Sequence, residues 1–156
     1  MYTTSKLFLF YKKTATLNRI GIFFRESDEP LSFIESINSC NGYHYGKTTL
    51  QGLIPVEKLR CLRNRFSDFS VDDICGRNFR VNAIKDNHGV WRQHVTGKQV
   101  EFHHFPEFNT LQGGAGDTLI WDAFLNRLFI EDDQDHYNAL CYKEYPTGKC
   151  ISTTLM

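Results

Sequence analysis

The stretch Asp117–Pro146, DTLIWDAFLNRLFIEDDQDHYNALCYKEYP, decides how the chain is read. Its middle, NRLFIEDD (126–133), is an apolar run bounded by polar residues and reads as a strand opened by Asn126. Asp135 then offers an N-cap, and His136 falls in the first turn of an expected helix. That helix runs through Tyr142 until Pro146 stops it. The leading DTLIWDAFL completes a long excursion that starts at Pro106 and contains Gly113-Gly114. Upstream, VEFHH (100–104) reads as a strand ending in a histidine pair. Strand, loop, strand and helix would then bring His103, His104, Asn126 and His136 toward one place. Neighbouring side chains on a regular strand point to opposite faces. Both histidines can therefore serve one site only if the strand ends or bends there, as Pro106 allows.

Working outward, FRVNAI (79–84) reads as a strand, and KDNHGVWRQHVTGKQVEF as a hairpin with turns at Asp86–Gly89 and Thr96-Gly97. Earlier, KLFLFY (6–11) and NRIGIFF (18–24) form a second candidate hairpin. Asp28 and Pro30 open an expected helix with Leu31, Ile34 and Ile37 on one face, ended by Asn41-Gly42. A second helix opens at Pro55, with Val56, Leu59, Leu62 and Phe66 as its apolar stripe. Lys58, Arg60, Arg63 and Arg65 lie largely outside that stripe, either as a solvated face or as a phosphate-contacting one. No repeat or low-complexity linker divides the chain. The expectation is a single α+β domain over residues 1–156, with strands and two helices in its N-terminal half and a ββα unit within 79–146.

The 156 residues are 41% hydrophobic, with 13 Phe, enough to bury a core. The N-terminal apolar run is too short for a signal h-region or a membrane span, which points to a soluble, cytoplasmic or otherwise intracellular protein. Five irregularly spaced cysteines, Cys40, Cys61, Cys75, Cys141 and Cys150, contain no C-x-x-C pair. This spacing speaks against a zinc ribbon and a secreted disulfide scaffold, leaving reduced, mostly buried thiols as the expectation. With 18 basic and 18 acidic residues, any basic nucleic-acid face has to be local.

The pattern His-His, Pro, Gly-Gly, Asn, His resembles the ββα-metal motif of the HNH endonucleases of phage and homing type. HYNALCYKEYP is similar to the helix of that family. The resemblance implies His104 as the base and His103 and His136 as metal ligands. Asn126 would orient the base, and Arg127 would steady the phosphate. It also implies a divalent ion, with one histidine titrating near neutral pH to activate water. The position four after His136 is Leu140, so Asp132, Asp133 or Asp135 would supply an oxygen ligand, favouring Mg²⁺ or Mn²⁺ over Zn²⁺. The function so implied is metal-dependent hydrolysis of phosphodiester bonds in DNA or, second, RNA. Its alternative is a non-catalytic α+β interaction protein of viral or mobile-element type, with a protein partner and structural histidines. GAGD (114–117) separately resembles the anion hole of ribokinase-like sugar kinases, with Asp117 as base. That chemistry needs a chain about twice as long, and a turn is the simpler reading. PTGK (146–149) lacks the second half of a P-loop, His94-Val95-Thr96 lacks a second copy, and nothing marks Cys40 as an activated nucleophile.

Overall fold

A computed structural model describes residues 22–46, 48–60, 78–103, 105, 116–123 and 125–144. Within these, β1 is Ile22–Glu26, α1 is Phe33–Cys40, and β2 (His44–Tyr45) pairs with β3 (Thr48–Thr49) as a separate ribbon. There follow β4 (Gly52–Leu53), a 3₁₀ turn at Val56–Lys58, β5 (Asn78–Lys85), β6 (Trp91–Arg92), β7 (Thr118–Asp122), β8 (Arg127–Glu131) and β9 (Asn138–Glu144). The main sheet runs in the order β1-β9-β5-β7-β8, with β4 against β9 and β6 against β5. The expected α+β class holds for these residues.

The centre of the sheet follows from composition. In β7, Thr118, Leu119, Ile120 and Trp121 are all fully buried, an apolar run covered on both faces. It pairs with β8 in register from Thr118↔Glu131 to Asp122↔Arg127. Asn126, at φ 55, closes that hairpin, and its Oδ1 accepts the Trp121 Nε1–H at 3.0 Å. β5 buries Phe79, Arg80, Val81 and Ala83, pairing antiparallel with β7 and parallel with β9 at Phe79↔Asn138 and Arg80↔Ala139. Beyond Arg80 the two strands part, and the chain before Pro55 fills the gap. Ile54 N–H donates to the Leu140 carbonyl, and Asn82 N–H to the Ile54 carbonyl.

α1 is started by Ser32, whose hydroxyl accepts the Glu35 N–H while the Glu35 carboxylate accepts the Ser32 N–H. The cap is therefore Ser32 and not Asp28, whose carboxylate instead holds Arg25 at 2.9 Å. Phe33, Ser36, Ile37 and Cys40 form the buried stripe. With Leu50, Leu53, Ala139 and Cys141 this stripe makes a second core beside the one around Phe24, Phe79 and Trp121. Cys40 and Cys141 are joined by a disulfide, so these two are not the reduced thiols expected.

Three further expectations change. Residues expected as a helix from Asp135 are strand β9, clasped between β1 on one side and β5 and β4 on the other. Ala139-Leu140-Cys141 is continuous apolar text because both faces of that strand are covered. The DTLIWD part of the excursion is β7. Val100–His103 is not a strand: Val100 N–H reaches the Trp91 carbonyl, and the chain then turns with Phe105 N–H to the Phe102 carbonyl. The helix expected at Pro55 begins there as the 3₁₀ turn, and its later turns lie outside the described residues, as does KLFLFY.

Candidate binding cleft

The residues singled out by the histidine pattern are each engaged separately. His103 is exposed, with Nε2 2.8 Å from Glu101 Oε1. His136 is exposed on the turn before β9, 3.6 Å from Glu35 Oε1. Asn126 serves the β7–β8 turn through Trp121. Asp132 Oδ1 accepts the Gln134 N–H within its own turn, and the Asp133 carbonyl receives the first N–H of α1 from Phe33. Among the described residues no group of three His, Cys, Asp or Glu side chains is placed to hold a metal ion. Lys58 is paired with Glu144 at 2.8 Å, Arg60 is exposed, and Arg127 is exposed at the start of β8. His104, Arg63 and Arg65 lie outside the described residues. Asp117 precedes a strand and not a helix, and its Oδ1 accepts the Asp133 N–H. Gly116 is a close-approach glycine, since a Cβ there would lie 2.2 Å from the Glu131 carbonyl carbon.

The site that does form lies elsewhere. Between the end of α1, β4, β5, β9 and the turn after β6 is a half-open cleft of about 140 Å³. Among the described residues no charged side chain lines it. Ile37, Leu53, Pro55 and Val95 supply apolar wall, and Asn41, Gln51, Asn82, His94 and Tyr142 supply polar groups. Asn82 Oδ1 accepts the His94 N–H at 2.8 Å, and Gln51 Oε1 accepts the Glu144 N–H. Both amides thus have their oxygens engaged and keep N–H donors. His94 packs edge-on to Phe33, ring centroids 5.9 Å apart, yet its Nδ1 is buried without a partner. An unsatisfied buried polar atom costs about 1–3 kcal/mol. Burial, then the charges of Glu144 and Glu57, hold the Tyr142 hydroxyl above its ordinary range, so it stays protonated.

The turn at the cleft mouth is strained. Gly97 N–H reaches back to the Gln93 carbonyl at 3.0 Å, forcing Val95 to φ 78. A β-branched residue in that region is an outlier costing on the order of 1–3 kcal/mol. Val95 is also 79% exposed, so burial does not offset the strain. The Thr96-Gly97 turn was legible in the sequence. The convergence of Asn82, Gln51 and Tyr142 on it was not, because each is an unremarkable polar residue in its own segment.

No protein-family model and no curated relative matches the sequence, but solved structures match the fold. The carbohydrate-recognition domain of a mouse scavenger receptor C-type lectin matches with TM-score 0.55 at 11% identity, over 79% of this chain and 88% of that one. TC14, a C-type lectin of the tunicate Polyandrocarpa misakiensis, matches with TM-score 0.55 at 11% identity, over 80% and 98%. The natural killer cell receptor Ly49C matches with TM-score 0.53 at 11% identity, over 80% and 87%. The chain has a C-type lectin-like fold. That fold overturns the HNH resemblance, and the nuclease, hydrolase and DNA-binding expectations fall with it: the segment meant to supply the motif's helix is β9, at the heart of the sheet. The divalent-ion expectation drew on that resemblance alone.

Proposed function

We propose that this chain is a non-catalytic ligand-binding domain. The observation that carries this reading is the preformed cleft, lined among the described residues by uncharged polar and apolar side chains, with the strained Val95 at its mouth. Two features support it. The neighbours in fold include a carbohydrate-recognition domain and a receptor. After β5 and β6 the described residues 93–103 form no further strand, and such irregular connections are where binding surfaces are commonly built. The Cys40–Cys141 disulfide fits an oxidising compartment better than the cytoplasm. Among the described residues no helix is long and apolar enough to cross a membrane. The partner in this reading is a carbohydrate or a protein surface.

The test is retention of the purified chain on arrays of immobilised glycans and peptides, with released products assayed in parallel. Saturable retention without turnover is expected. An empty array, or chemical conversion of a retained ligand, would sink the reading.

A further inference from the structure

β8 ends the main sheet: among the described residues β7 is its only strand neighbour. Two contacts tell which of its backbone groups look outward. The Glu131 carbonyl turns toward β7, where it accepts the Thr118 O–H at 2.8 Å. One residue before Thr118, the Asp117 carbonyl turns the opposite way, to the Lys85 N–H of β5. Backbone direction alternates along a strand, so Arg127 and Phe129 also face β7. Leu128 and Ile130 then hold their N–H and C=O groups toward the open side. Such an edge is a template for another strand, and proteins blunt it with Pro, bulges or inward-pointing charges. β8 has five residues, an ordinary strand length, and reads RLFIE, without Pro or Gly. Its register with β7 is unbroken from Arg127 to Glu131. Its charges stand only at its two ends, and they are opposite. Arg127 is exposed and, among the described residues, in no ion pair. Glu131 sits in a crowd of acids, its carboxyl raised by burial and then by Asp135.

We propose that β8 pairs with β8 of a second copy of this chain, antiparallel and centred on Phe129, so that one sheet runs through a two-fold dimer. In that register the outward groups of Leu128 meet those of Ile130 in the second copy, and symmetry repeats the contact in reverse. Phe129, already edge-on to Tyr137 at 6.5 Å, faces its own counterpart across the axis. Arg127 falls opposite Glu131 at both ends, giving the unpaired cation an acid and the crowded acid a cation. A foreign strand would have to match this charge order, whereas a second copy matches it by symmetry. A five-residue edge is small beside the about 1,000 Å² of a stable interface, so the dimer is reversible, with a dissociation constant on the order of 10 µM to 1 mM. Each dimer carries two clefts, the arrangement by which a weak site gains avidity.

The test is sedimentation equilibrium of the full chain over a concentration series up to about 1 mM, with variants at both ends of β8. The parent chain should dimerise reversibly. Arg127→Glu sets like charges opposite each other at both ends and should weaken the dimer at least about tenfold. Adding Glu131→Arg restores opposite charges and should recover most of the affinity, a rescue that a merely misfolded single variant would not show. Register is read by cross-linking. Facing Cα atoms of a non-hydrogen-bonded pair lie about 4.5 Å apart, within disulfide range, so Phe129→Cys should form an intermolecular disulfide on oxidation. Leu125→Cys, exposed on the turn before the strand, should cross-link no more than the parent. A chain that stays monomeric, a dimer indifferent to Arg127→Glu, or a double variant no tighter than the single one overturns the pairing. So does Phe129→Cys cross-linking no faster than Leu125→Cys. A monomer whose Leu128 and Ile130 amide resonances move with an added Thr-Val repeat peptide would overturn it as well, by giving the edge to a foreign strand.

Discussion

Arg80 is fully buried, yet it holds three elements together. Its Nη1–H donates to Thr118 Oγ1 at 2.8 Å, and its Nη2–H to the Asp135 carbonyl. The guanidinium also lies 6.0 Å from the Phe33 ring centroid and 5.7 Å from that of Tyr137. The Thr118 hydroxyl in turn donates a hydrogen bond to the Glu131 carbonyl at 2.8 Å, so β5, β7, β8 and the turn before β9 share one network. Burial pulls the Arg80 pKa below its ordinary value, and the surrounding Tyr137, Asp135, Asp133 and Asp117 pull it back up. Arg80 Nε has no partner, so the network is not fully satisfied. Truncation to Ala should therefore cost about 3–5 kcal/mol, combining an emptied core position with an orphaned carbonyl. Arg80→Met keeps the volume and removes the buried charge, and should cost no more than about half of that. Urea unfolding with an unchanged m-value checks the pair. Equal losses for Ala and Met would mean that the hydrogen bonds, and not the packing, carry the effect.

At the scale of elements, the clasp between α1 and β9 is covalent as well as apolar. Cys40 and Cys141 are 101 residues apart in sequence, so their bond closes a long loop in the unfolded chain. Replacing both with Ala should cost about 2–5 kcal/mol and abolish any sensitivity of the unfolding midpoint to reductant. Retained sensitivity would point to other cysteines. Ser32→Ala, which removes the hydroxyl half of the α1 capping box, should cost about 1 kcal/mol, read by the same unfolding curve. The sequence made some of these elements plain. β5 and β8 carry short apolar runs between turn residues, and the Asp86–Gly89 turn announces itself, with Asp86 Oδ1 accepting both His88 N–H and Val90 N–H. β9 was hidden because a strand covered on both faces loses its alternation, and Ala139, Leu140 and Cys141 then look the same as a buried helix. Its real cue is tertiary: pairing partners 112 residues away, where Ser27 Oγ accepts the Ala139 N–H. The histidines drew notice by residue type, whereas the cleft draws on Asn41, Gln51, Asn82, His94 and Tyr142, which no local pattern links. Strain at Val95 has no signature in its own identity.

Across the whole molecule the formal charge is zero, but its distribution is uneven. Glu35, Asp117, Glu131, Asp132, Asp133 and Asp135 gather where the N-terminus of α1 meets the turn between β8 and β9, and Phe33 N–H donates to the Asp133 carbonyl there. Burial raises the carboxyl of Glu131, with Asp135 adding to it, and burial followed by the charge of Asp117 raises Asp133. A carboxyl whose folded pKa lies above its unfolded value favours folding fully only below the unfolded value, and that contribution is lost as pH rises through the folded pKa. Asp86 behaves in the opposite sense. A hydrogen bond from Arg92, then one from Val90 N–H, lowers it to about 2, so its contribution is present above its ordinary 3.8 and lost as pH falls toward 2. The two effects together place maximal stability on the mildly acidic side of neutrality, with separable flanks. Asp133→Asn should raise the thermal midpoint at pH values above the ordinary carboxylate range and flatten its decline toward neutral pH, while leaving the acid flank alone. Asp86→Asn should lower the midpoint above pH 3.8 and converge with the parent protein near pH 2. A midpoint series from pH 2 to 8 on the three proteins reads both flanks. If Asp133→Asn lowers the midpoint at pH 7, the acidic turn is stabilising through its hydrogen bonds, and charge crowding is not what limits this end of the fold.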